Sequence, residues 1–152
     1  MPHRSLLAAF GLTLLVPLPG SAAAPSGLDG TWIEILPVRP VVGMSAPRNP
    51  TTLVIAGDSF VEKENGRTVR QSLFRVVPGR SPKAMDLMTV VEGEFWLTCA
   101  IYKAEGDTLT ICEGGRDKPR PSTFHGWEGD GQELTLLRTF KRQVAVPPKA
   151  SR

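Results

Sequence analysis

The sequence is poor in the side chains that do chemistry. Two histidines, two cysteines and one tyrosine are spread over 152 residues. His3 falls in a segment read below as a removable leader, which leaves His125, in "TFHGW", as the only histidine of a mature protein. A zinc site needs three or four spaced His, Cys or acidic ligands, and one histidine with two cysteines on one hairpin is no such set. No G-x-S-x-G stretch is present to present a strained nucleophile. Cys99 and Cys112 stand too far apart for a C-x-x-C redox motif. "EGGRDKPRP", Glu113 to Pro121, is rich in glycine but follows no strand-to-helix pattern, so it is not a phosphate loop. Glu92 and Glu94 flank Gly93 in a turn, where solvated carboxylates are expected. These absences point away from an enzyme, and no cofactor or metal is expected.

Excess charge is scarce too. The formal net charge is +3, and +2 once Arg4 leaves with the leader. No basic stripe is interleaved with aromatics, so nucleic acid is not an expected partner. The longest apolar run, Leu6 to Val16, is eleven residues, short of the roughly 20 that span a bilayer.

That run has a different meaning. Met1 to Arg4 is basic, Leu6 to Val16 is apolar, Pro17 to Gly20 breaks a helix, and Ser21-Ala22-Ala23-Ala24 supplies small residues. This is the three-part layout of a secretory signal peptide. Cleavage between Ala23 and Ala24 avoids the tertiary amide of Pro25, giving a leader over 1–23, one domain over 24–142 and a frayed tail over 143–152. The expected location is therefore outside the cytoplasm (periplasm, envelope or medium), with no transmembrane anchor left after cleavage.

What the chain has in quantity is punctuation. Its 15 glycines and 14 prolines recur at short intervals between runs rich in Val, Ile, Thr and aromatics, the signature of an all-β chain. Strands are expected near 31–36, 52–56, 59–64, 67–77, 84–89, 95–104, 108–113 and 133–141, with a shorter one at 123–127. Asn65-Gly66 suits a type I′ hairpin turn. Successive hairpins give an up-and-down antiparallel order, and eight strands suffice to close a barrel. The four prolines between Pro37 and Pro50 forbid a central strand, so this stretch is expected as a long loop at one barrel mouth. By alternation, Phe60, Phe74, Val76, Met85, Leu87, Trp96, Thr98, Ala100, Tyr102, Leu109, Ile111, Leu134 and Leu136 point inward.

"LDGTW", "VIAGDSFV", "SPKAMDL", "YKAEGDTLTIC", "RPSTF" and "LTLLRTFKR" follow one another in order between Leu28 and Arg142. In this series the chain resembles the exported lipocalin-like domain family described from planctomycetal proteins, whose biochemical function is unassigned. The resemblance implies a lipocalin-like barrel in which Trp32 of Gly30-Thr31-Trp32 plugs the closed end. It also implies that an arginine of the last strand lies over the indole, a place that Arg138 would take. Arg120-Pro121 and Phe124 match recurring positions of the family, implying a loop anchored by Phe124 and raising Arg120 as a binding candidate. Glu34 departs from the family, which tends to be apolar there. It shares the face of Trp32, so it is either an inward polar group, paired or in contact with a ligand, or a strand-end residue that reaches water.

The cysteines allow a register test. With the turn of "CAIYKAEGDTLTIC" on Glu105-Gly106, Ala104 faces Asp107 and Cys99 faces Cys112 on one side of the hairpin. Directly opposed strand residues hold Cβ atoms roughly 4.5–5.5 Å apart, wider than the usual 3.8 Å or so of a disulfide. A Cys99–Cys112 bond and two packed thiols both remain open. Tyr102 is the polar handle expected inside. Three functions follow: a carrier of a small hydrophobic molecule, with Tyr102, Glu34 and Arg120 as candidate contacts; a filled barrel that meets an envelope protein; or an enzyme built around His125.

Overall fold

The computed structural model describes residues 27–36, 49–126 and 135–144. The expected leader, the segment 37–48 and most of the expected tail lie outside these residues, as does Leu134. Eight strands follow in order: β1 (Gly30–Glu34), β2 (Thr52–Ala56), β3 (Ser59–Glu64), β4 (Arg67–Val77), β5 (Ala84–Val91), β6 (Glu94–Glu105), β7 (Thr108–Arg116) and β8 (Leu136–Arg142). Each pairs antiparallel with the next, and β8 returns to β1 to close an up-and-down barrel. This is the all-β, up-and-down barrel that the punctuation predicts, and it is consistent with the lipocalin-like architecture that the resemblance implies. The short strand expected at 123–127 is not formed over its described part, 123–126.

The turns explain the order. Asn65 and Gly66 both have positive φ, 50° and 77°, as a type I′ hairpin requires. The β6–β7 turn differs from expectation. Glu105 pairs with Thr108, so the turn is Gly106-Asp107, one residue later than predicted. That moves the ladder by two, and Cys112 faces Ile101. A register irregularity between Thr98 and Ala100 leaves Cys99 without a partner on β7, and it pairs instead with Asp86 on β5. Of the two readings left open, a Cys99–Cys112 bond and two packed thiols, the structure has the second: both cysteines are free thiols.

One end of the barrel is solid. Trp32 is fully buried at its centre with Leu53, Ile55, Phe60, Met85, Leu87, Leu109, Ile111 and Phe140. The indole donates from Nε1 to Leu28 O at 2.8 Å, so the segment before β1 is drawn across the opening. Arg142 stacks its guanidinium 4.0 Å from the centre of the Trp32 ring and donates to Gly27 O at 2.9 Å. The expected Trp32–Arg138 stack is therefore corrected to Trp32–Arg142. The reason is register: Trp32 pairs directly with Arg142 on β8, and Arg138 lies on the same face four residues nearer the other end. Gly30 is held at φ 140° beneath this clamp, where an added Cβ would stand 2.7 Å from Arg142 Nη1.

A strap from Asp117 to Gly126 packs on the outside of β5–β7. Arg120 reaches from it to Asp86 and to the carbonyls of Met85 and Ala100, the first of these two at 2.8 Å. Burial pushes the Asp86 carboxyl up, but Arg120 and Arg75 outweigh it and hold the group below its ordinary value. The strap passes so close to β7 that a Cβ on Gly114 would lie 2.9 Å from Pro119 O. Beneath it the buried Cys112 thiol points at His125 O, 3.4 Å away, and burial raises its pKa.

Candidate functional site

Alternation carries charges, as well as apolar groups, into the barrel. Glu62 lies two residues beyond Phe60 on β3, and Arg70 two before Ser72 on β4. Glu113 follows Ile111 on β7, and Arg138 precedes Phe140 on β8. At mid-height these four side chains meet. Arg138 binds both Glu62 and Glu113. Arg70 Nη1 lies 2.7 Å from Glu113 Oε2, and Arg70 Nε 3.2 Å from Glu62 Oε2. Two cations and two carboxylates form a neutral layer resting on rings, with Arg70 5.4 Å from the Phe60 centroid and Arg138 5.3 Å from that of Phe140. Beside it, the hydroxyls of Ser72 and Thr89 share a hydrogen bond of 2.6 Å.

Burial pushes the Glu113 carboxyl up, and the pull of Arg70 and Arg138 more than reverses this, so its pKa lies below the ordinary carboxylate value. Burial pushes Arg138 down, and Glu113 and Glu62 more than reverse it, so its pKa is raised. A carboxyl with a lower pKa folded than unfolded stabilises the fold above its unfolded pKa and loses that contribution as pH falls through its folded value. Glu113 and Asp86 both act in this sense. The urea midpoint is therefore expected to hold between pH 7 and 5 and to fall below about pH 4.3, the ordinary glutamate value, with a weaker acid slope in Glu113→Gln. A midpoint that stays constant down to pH 3 would contradict this.

Above the charged layer the barrel opens into a cup of about 670 Å³. Arg70, Thr89, Glu113 and Thr98 line it toward the layer, and Val91, Trp96, Arg116 and Leu136 toward the rim. Arg116 lies 4.0 Å from the centre of the Trp96 ring and is itself held by Glu94 at 2.9 Å and Asp117 at 3.2 Å. Trp96 Nε1 is buried and, among the described residues, has no hydrogen-bond partner. The β1–β2 and β7–β8 connections, the two long ones, also leave from this end. The long loop expected between Pro37 and Pro50 lies outside the described residues as far as position 48.

The three candidate contacts read from sequence sit elsewhere. Tyr102 is buried in the closed half, and burial raises its pKa. Glu34 is buried and does not reach water. Its carboxylate accepts the amide of Thr51 at 3.1 Å. Arg120 is outside the wall, committed to Asp86 and two carbonyls. His125 is exposed on the strap, 2.8 Å from Thr123 Oγ1. Among the described residues no group of three or more His, Cys, Asp or Glu side chains is placed to hold a metal. The residues that do build the cup carry a signal in the sequence: charged side chains at inward positions of four strands, two of each sign.

Comparison with protein-family models, with curated proteins and with solved structures finds no match.

Proposed function

We propose that this chain is an exported small-ligand-binding domain whose ligand sits in the open half of the barrel. One observation carries this reading: a cup of about 670 Å³ above a closed half that is packed solid. Its volume falls within the roughly 300–1,000 Å³ of small-molecule sites. The charged layer marks the depth limit, since passing it means separating paired buried ions. A ligand therefore rests on the layer, with its apolar part against Trp96, Val91 and Leu136. The leader supports export, and the sparse chemistry of the side chains supports binding over catalysis.

A second reading, a protein-interaction domain of the envelope, is favoured by the outer wall. Leu73, Met88 and Leu97 lie in cross-strand register with Val90 and Phe95 beside them, and all five are exposed. Such a contiguous apolar stripe is characteristic of contact surfaces.

Native mass spectrometry of the protein purified from an exporting host tests the first reading. The expected result is a small molecule bound in the native state, released on unfolding, and lost from Thr98→Phe, which fills the cup. A bare native mass with normal folding would sink it. A bare mass in a complex larger than the monomer would move the assignment to the outer wall.

A further inference from the structure

We propose that the cup selects an uncharged amphipathic molecule, fixed by an acceptor oxygen on Trp96 Nε1, over the carboxylate of the same chain. This rests on the cup being the binding site and names the chemistry it takes.

The arginines of the wall are already committed to ion pairs, and one buried donor of the lining has neither an ion pair nor a hydrogen bond among the described residues. Arg70 gives Nη1 to Glu113 and Nη2 to Glu62, and its Nε lies against Glu62 Oε2 at 3.2 Å. Thr89 is bonded to Ser72. Arg116 gives Nε to Asp117 and Nη2 to Glu94. Trp96 Nε1 has neither a hydrogen bond nor an ion nearby to satisfy it among the described residues. An indole nitrogen only donates, so the missing complement is an acceptor. Buried donors are almost always paired in folded proteins, and an unpaired one calls for an explanation.

Charge decides which acceptor. The arginines that line the cup or pair with its lining are Arg70, Arg116 and Arg138. Against them stand Glu62, Glu92, Glu94, Glu113 and Asp117. The carboxylates outnumber the guanidiniums, and each of the three guanidiniums already has two carboxylate partners. An incoming carboxylate would find no uncommitted cation there and would feel an excess of like charge. A ketone, ester or alcohol oxygen accepts from Trp96 at no such cost. The rim then supplies the apolar seat, with Leu136 and Val91 on strands that flank the mouth.

Calorimetric titration of the folded protein with 2-decanone and with decanoate tests this. The ketone is expected to bind at least tenfold more tightly. Trp96→Phe keeps an aromatic ring for Arg116 and removes only the N–H. It should weaken 2-decanone about fivefold, the worth of one neutral hydrogen bond, and leave decanoate unchanged. In the wild type, the proton resonance assigned to Trp96 Nε1 should move downfield as 2-decanone binds. Equal or tighter binding of decanoate would overturn the proposal while leaving the cup as the site. An unaltered 2-decanone affinity in a folded Trp96→Phe protein would do the same. If neither probe binds and Thr98→Phe changes nothing, the cup reading itself falls.

Discussion

Arg138→Met is expected to lower the unfolding free energy by about 3–5 kcal/mol, seen at pH 7 as a large drop in urea midpoint. The magnitude follows from what stays behind. Glu62 and Glu113 are each buried, and Arg138 donates to both from a single nitrogen, Nη2. Without it the two carboxylates share only Arg70, whose side chain is 24% exposed at the cup and more screened by water. Two like charges then face each other in the middle of a barrel, and one must take up a proton or draw in water. Replacing the whole layer is a different matter. Exchange of a buried ionic group for well-packed apolar residues is often neutral or stabilising, so Glu62→Leu, Arg70→Met and Glu113→Leu added to Arg138→Met should recover much of the loss. Arg138→Met within about 1 kcal/mol of the wild type would mean that the layer is hydrated, against its burial in this structure.

Trp32→Ala is expected to cost a similar 3–5 kcal/mol, the usual range for removing a large buried aromatic. The ring is fully buried, and three things depend on it: the Arg142 stack, the contact with Leu28 and the plug itself. Trp32→Phe should lose less, because it retains most of the volume and gives up only the hydrogen bond to Leu28 O. The two ends of the barrel separate the effects. Trp32 is on the far side of the charged layer from the cup, so folded Trp32→Phe protein should keep its affinity for a cup ligand. Thermal unfolding and calorimetric titration of the same samples measure both. A Trp32→Ala protein that melts with the wild type would show that the closed end does not need its plug.

The positions of the strands were legible because glycine, proline and asparagine mark where backbone conformations change hand. Asn65-Gly66 is the clear case: two residues that tolerate positive φ, between two alternating runs. The β6–β7 turn was misplaced by one residue because Gly106 fits either central position, and sequence does not say which one needs the positive φ. That single step changed the neighbour of Cys112 and decided between a Cys99–Cys112 bond and two free thiols in favour of the thiols. Arg138 was assigned to the plug for a related reason. Leu136, Arg138, Phe140 and Arg142 share one face, and only the pairing of β8 with β1 decides which arginine meets Trp32. The charged layer is absent from the sequence reading, although inward parity at Glu62, Arg70, Glu113 and Arg138 is a signal of it. Its pairing carries no such signal, because Glu62 and Arg138 lie 76 residues apart and meet only when the barrel closes.

That closure restricts how other molecules can recognise the protein. Among the described residues every strand has a neighbour on both sides over at least part of its length, so the wall offers no full-length free edge onto which a foreign peptide could lay itself as an extra strand. Anything that binds this protein along its wall must read side chains, and the backbone is legible only at the two rims.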